Sequence, residues 1–150
     1  MFYILLAGIA GAAIAIQASM NAQLGVLIKS PILATSSVLL VSGVYMAMVY
    51  IVIERRTLSP DILLQAPWYL WTIGGVFSVL GVGLSYFLIP KMGIGNLMSI
   101  VLTCQLIISM LINHFGWFGS VKISLTLSKG IGVLTLLFGT YLVNKGSGYA

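Results

Sequence analysis

Charged residues interrupt this chain only rarely, and the stretches between them are long and apolar. Residues 2–24, 31–53, 68–89 and 94–112 carry no formal charge at all. Wound as a helix rising ~1.5 Å per residue, each is long enough to cross a hydrocarbon core of ~30 Å. A further apolar stretch, 130–143, is too short alone and must recruit 125–129. Lys129 permits this by sending its ammonium to headgroup level while its stem stays in lipid. Hydrocarbon offers backbone N–H and C=O groups no partners, and runs of ~20 residues are too long for barrel strands, so each span is predicted helical. The pattern predicts an all-α membrane protein. Its single domain over 1–150 has five transmembrane helices, at approximately 2–24, 31–53, 68–89, 94–112 and 125–143.

Boundary chemistry agrees. Ser30-Pro31 reads as an N-cap followed by proline at the first helical position, and Pro67-Trp68 opens the third span in the same way. Pro90 is expected to close that span, and Gly93-Ile94-Gly95 to give a pliable start to the fourth. Tyr45, Tyr50, Trp68, Tyr69, Trp71 and Trp117 lie at or near span ends, where amphipathic rings anchor among headgroups. The one substantial polar connection is 54–65. Small residues recur at helical spacing: Gly8, Ala12, Ala15, Ser19 and Ala22 in the first span, Gly74, Ser78, Gly81 and Ser85 in the third. Such stripes let helix backbones approach closely, and we read them as packing faces.

Composition narrows the class. Sixty per cent of residues are apolar and 6% charged, which excludes both a soluble globular domain and disorder. The N-terminus is expected not to be a cleavable signal peptide, because the first cation is Lys29 and further spans follow. The net charge of +5 is strung singly along the connections rather than clustered, so it points to anionic headgroups of the lipid bilayer and not to nucleic acid. Cys104 is the lone cysteine and lies mid-span, a small packing residue rather than a nucleophile or metal ligand.

An odd number of spans puts the termini on opposite sides and prevents division into equal halves. No internal repeat is evident, so an inverted-repeat architecture of the kind common among transporters would need a second chain. On the predicted topology Arg55, Arg56, Lys122 and Lys129 fall on one side, and Lys29, Lys91 and Lys145 on the other. That bias is feeble by the positive-inside rule, and a chain so balanced can insert both ways up and pair with its inverted self. The alternative is one fixed orientation, with a cytoplasmic N-terminus set by Arg55-Arg56.

Several local patterns together resemble the YdcZ-type branch of the bacterial drug/metabolite transporter (DMT) superfamily. They begin with Gln17-Ala18-Ser19-Met20-Asn21-Ala22-Gln23-Leu24-Gly25 at the end of the first span, followed by Ser30-Pro31 and by Ser42-Gly43 in the second. Trp68 to Trp71 then run into Gly74-Gly75, Gln105 lies within the fourth span, and His114-Phe115-Gly116 follows it. The resemblance extends over essentially the whole chain in order. It implies a short five-span protein of the bacterial cytoplasmic (inner) membrane, one half of an antiparallel ten-helix DMT-like dimer, either a homodimer or paired with a paralogous five-span chain. It also implies export of metabolites or drugs. Relatives often carry an acidic residue just before His-Phe-Gly, where this chain has Asn113.

Without charges, amides are the strongest polar groups inside the spans. Gln17 and Asn21 are one helical turn apart, and Gln105, Ser109 and Asn113 form a second row on the fourth helix, with Ser99 and Thr103 on another face. Unpaired in hydrocarbon such groups are costly, so they must face protein or a water-filled cavity. They read either as a substrate pathway or as interhelical hydrogen bonding, which look identical in sequence. His114 is the one side chain that ordinarily titrates near neutrality, but its place at a span end beside Trp117 and Phe118 suits a headgroup anchor.

The expected function is a small transporter, an exporter of a neutral or weakly polar small molecule working by alternating access as an antiparallel dimer. A passive dimeric pore, or a non-transporting assembly partner, are the alternatives. No cofactor and no metal is expected. Nor is an enzyme: Asp61, His114 and Ser120 fall in linkers on one predicted side, but their spacing supports no triad and no catalytic motif is present.

Overall fold

A computed structural model describes residues 1–53 and 67–147. The polar connection with Glu54, Arg55, Arg56 and Asp61 lies outside the described residues, as does half of the larger cation group. Among the described residues five helices are long and apolar enough to cross a membrane: α1 (Phe2–Leu27), α2 (Pro31–Ile53), α3 (Trp68–Met92), α4 (Ile94–Phe115) and α5 (Leu127–Asn144). A short 3₁₀ turn, Trp117–Gly119, follows α4. The chain divides into two compact units, Met1–Pro90 and Lys91–Ala150.

Cap chemistry, more than hydropathy, sets the helix ends. α1 continues past the predicted boundary to Leu27. It stops where Lys29 turns left-handed (φ 54°), its N–H bonded to the Val26 carbonyl and that of Ser30 to the Gly25 carbonyl, a Schellman closure on a residue other than glycine. Ser30 then caps α2, its Oγ accepting the Leu33 N–H at 3.1 Å, and Pro31 opens that helix. One residue thus ends one helix and the next begins the other, folding α1 and α2 into a tight hairpin. Pro90 does not end α3, which continues to Met92 and stops at Gly93 (φ 80°). Proline near a helix C-terminus removes one hydrogen bond and need not break the last turn. α4 runs on to Phe115 and is closed by left-handed Gly116 (φ 69°). Thr126 caps α5 through the Lys129 N–H, so Leu125 stays outside the helix and the last span starts at Leu127.

In the first unit the hairpin packs through Ala18, Ala22 and Ala34, all buried, with Gly25 also buried. A Cβ placed on Gly25 would lie 3.4 Å from the Pro31 Cα and 3.5 Å from the Ala34 Cβ. Of the small-residue stripe read from the sequence, Ala22 is buried and Ala15 half-buried, whereas Gly8 and Ala12 are exposed. The packed face is turned slightly from the predicted one, through Ala18 and Gly25. On α3, Gly74 and Gly81 are exposed, and a Cβ at either would meet no neighbour among the described residues.

Candidate functional site

Polar side chains within the spans divide by whether their own chain satisfies them. Most hydroxyls do so locally. Thr35, Ser36 and Ser37 bond back to the carbonyls of Pro31, Ile32 and Leu33, and Ser78 and Ser85 to those of Gly74 and Gly81. This is the way a hydroxyl survives in an apolar helix without a tertiary partner.

Between α4 and α5 the polar groups form a connected chain instead. The Ser99 hydroxyl donates to the Asn96 carbonyl, and that of Thr103 to the Ser99 carbonyl at 2.8 Å. Thr103 Oγ1 lies 2.6 Å from Thr140 Oγ1, a pair in which either hydroxyl can donate, and Thr140 Oγ1 also lies 3.3 Å from the Ser99 carbonyl. The Asn144 amide donates both to Ser99 Oγ and to the Thr140 carbonyl, each at 2.8 Å. Asn96 donates to the Met92 carbonyl and to Ser147 Oγ. Buried Thr103 sits at the centre of this seam. Sequence reading placed Ser99 and Thr103 on a shared face but did not find Asn96, Thr140 and Asn144. The signal was present, because Thr140 and Asn144 repeat on α5 the one-turn spacing of Ser99 and Thr103 on α4.

The amides predicted to line a pathway have separate fates. Asn21 is half-buried, and its Nδ2 donates to the Tyr86 hydroxyl at 2.7 Å, joining α1 to α3. Tyr86 is buried, 3% exposed, and Gly83 one turn before it faces Thr35 of α2. Sequence reading missed Tyr86. Gln17, one turn before Asn21, is exposed, and so is Gln105; neither makes a side-chain hydrogen bond among the described residues. Ser109 is exposed and bonds back to the Leu106 carbonyl. Asn113 is half-buried and lines a small pocket of about 130 Å³ with Met110, Ile123, Leu125 and Lys129. Gln17 and Asn21 belong to the first unit, and Gln105, Ser109 and Asn113 to the second.

After α4 the backbone doubles back along the helix end. The Ile123 N–H bonds the Asn113 carbonyl, Ser120 Oγ donates to the Ile112 carbonyl, and the Leu125 N–H reaches His114 Nδ1 at 3.4 Å. With Nδ1 accepting, a neutral His114 carries its proton on Nε2. Phe115 meets the His114 ring edge-on and stacks on Trp117 at 5.2 Å. His114 is thus part of an aromatic and backbone anchor at the end of α4.

The family model described as "Putative inner membrane exporter, YdcZ" (DMT_YdcZ) matches residues 2–142. The chain belongs to the YdcZ-type family of the DMT superfamily. No curated protein and no solved structure gives a significant match. Membership makes this YdcZ-type chain a multi-pass inner-membrane protein of an exporter family, a transporter rather than an enzyme. Among the described residues there is no group of His, Cys, Asp and Glu able to hold a metal ion, and Cys104 is exposed and unpaired.

Proposed function

We propose that this YdcZ-type protein exports a small neutral or weakly polar metabolite or drug by alternating access, working as an antiparallel dimer. Exposure of Gln17 and Gln105 inside apolar spans carries the reading. An amide left in hydrocarbon without partners costs several kcal/mol, on the order of 2–7, so each must be met by water, substrate or a second chain. Asn113 in its rim pocket extends the same polar row to the end of α4. The open faces at Gly74 and Gly81 of α3 suit close approach of a second copy. The nearly balanced cations favour its insertion the other way up.

Charge sets the substrate class. Glu54 and Asp61, the only carboxylates, both lie in the polar connection, and no span contains one. An amide cannot hold a desolvated cation as a carboxylate does, nor exchange a proton near neutral pH. The test is flux in proteoliposomes, comparing the lipophilic cation ethidium with neutral metabolites that raise the protein's melting temperature. Saturable flux of a neutral compound, abolished by Gln17→Ala or Gln105→Ala with dimer yield intact, is expected. Non-saturable flux would indicate a pore, and no flux from the protein alone an assembly partner. Gradient-driven ethidium export surviving His114→Ala, Glu54→Gln and Asp61→Asn together would refute the charge argument.

A further inference from the structure

The second unit carries an open apolar groove of about 430 Å³ between α4 and α5, within the size range of small-molecule and acyl-chain sites. Ile107, Met110, Leu111, Ile131 and Leu134 wall it, with Gly130 leaving part of its floor bare. Met110 and Leu125 also line the small pocket with Asn113 and Lys129, so the two voids adjoin near the start of α5. The arrangement is amphiphilic along the membrane normal. Lys129 and Asn113 lie near span ends, at headgroup level, and Leu134 lies ~7.5 Å deeper than Lys129 at ~1.5 Å per residue.

Charge selects the occupant. The Lys129 ammonium donates to the Ser124 carbonyl at 2.9 Å and has further N–H donors to offer. Residues 91–147 contain Lys91, Lys122, Lys129 and Lys145 and no acidic residue, so no carboxylate of this unit competes for that ammonium. The Asn113 amide adds uncharged donors beside it. From this juxtaposition we infer that the α4–α5 groove is a binding site for an anionic phospholipid, with an acyl chain along Ile107, Leu111 and Leu134 and the phosphate at Lys129 and Asn113. The site is independent of the transport reading, and it turns general attraction of the cations to headgroups into a specific contact.

The test is native mass spectrometry of the full chain in detergent, with dioleoylphosphatidylglycerol and dioleoylphosphatidylcholine added at equal amounts and glycerol 3-phosphate in a separate arm. Wild type should retain the anionic lipid about fivefold better, the worth of one lysine near an anionic surface. Lys129→Gln should erase that preference, and Lys145→Gln, at the other end of α5, should leave it. Gly130→Leu places bulk where an added Cβ meets no neighbour, and should lower retention of both lipids with oligomeric state unchanged. Lys129→Gln decides the matter alone if the leucine variant does not fold. Equal retention of the two lipids, preference surviving Lys129→Gln, or equal loss in Lys145→Gln overturns the site. Glycerol 3-phosphate binding as well as the lipid would assign the pocket to a free phosphate ester and overturn the groove's role. A Gly130→Leu protein that loses its dimer but keeps its lipid would assign the groove to a second copy.

Discussion

Asn21 can be a pathway residue, a structural bond, or both, and its contact with Tyr86 gives a way to separate these. Tyr86→Phe removes the hydroxyl that accepts the Asn21 amide at 2.7 Å and keeps the ring that fills the space around it. Side-chain hydrogen bonds within membrane proteins average about 0.6 kcal/mol and reach about 1.7. Leaving a buried donor wholly unpaired adds ~1–3 kcal/mol, but Asn21 is half-buried and its amide has room to turn. We therefore expect Tyr86→Phe to destabilise the protein by about 1 kcal/mol, roughly a fivefold rise in the unfolded-to-folded ratio.

The assay is equilibrium unfolding of purified protein in mixed micelles of increasing denaturing detergent, run as a double-mutant cycle with Asn21→Ala. If the bond holds α1 to α3, the double variant should lose less than the sum of the singles, by about 0.6–1.7 kcal/mol. Strict additivity, within ~0.3 kcal/mol, would refute the contact as an energetic link. Flux then separates the roles. A purely structural Asn21 makes Asn21→Ala and Tyr86→Phe equally active at equal stability, whereas a substrate-contacting Asn21 loses flux in Asn21→Ala alone.

Gly25→Ala should fold and gain up to ~1 kcal/mol of helix propensity, because the new methyl meets Pro31 and Ala34 at ordinary contact distance, whereas Gly25→Leu should open the α1–α2 hairpin and show up as reduced thermal stability and folded yield. Thr103→Val keeps the side-chain shape but removes the hydroxyl that pairs with Thr140 and the Ser99 carbonyl, and should cost about 1 kcal/mol in the same micelle assay; a change within ~0.3 kcal/mol would show that the α4–α5 seam holds without it.

What the sequence disclosed followed the range of each physical effect. Spans were legible because charge is so costly in hydrocarbon that a handful of ionised residues marks the connections. Ser30-Pro31 was legible because capping is a local matter of adjacent residues. The left-handed turn at Lys29 was not, since that conformation disfavours any residue with a Cβ, and only the closing bonds from Lys29 and Ser30 reveal it. Gly116, by contrast, is the residue type such a turn asks for. Nor was the Asn21–Tyr86 bond readable: periodicity says which residues share a face of one helix, and nothing of which tyrosine on a distant helix meets it. The small-residue stripe of α1 was found with its face slightly rotated, because alanines and glycines are dense enough there to support more than one helical row.

The distribution of satisfied and unsatisfied polar groups carries the functional argument furthest. Most serines and threonines in these spans bond back to their own helices, or, as with Thr103 and Thr140, pair across a seam. No buried side-chain nitrogen or oxygen among the described residues lacks a partner. Against that background the amides of Gln17 and Gln105 are exposed with no side-chain hydrogen bond among the described residues, as is Gln23 near the end of α1, and unmet polar groups inside a membrane are expensive. On the proposed reading their donors and acceptors are met by water, a second chain or a passing solute. A neutral solute with hydroxyls or amides of its own could exchange hydrogen bonds with them one for one, without the desolvation cost that a charge would bring.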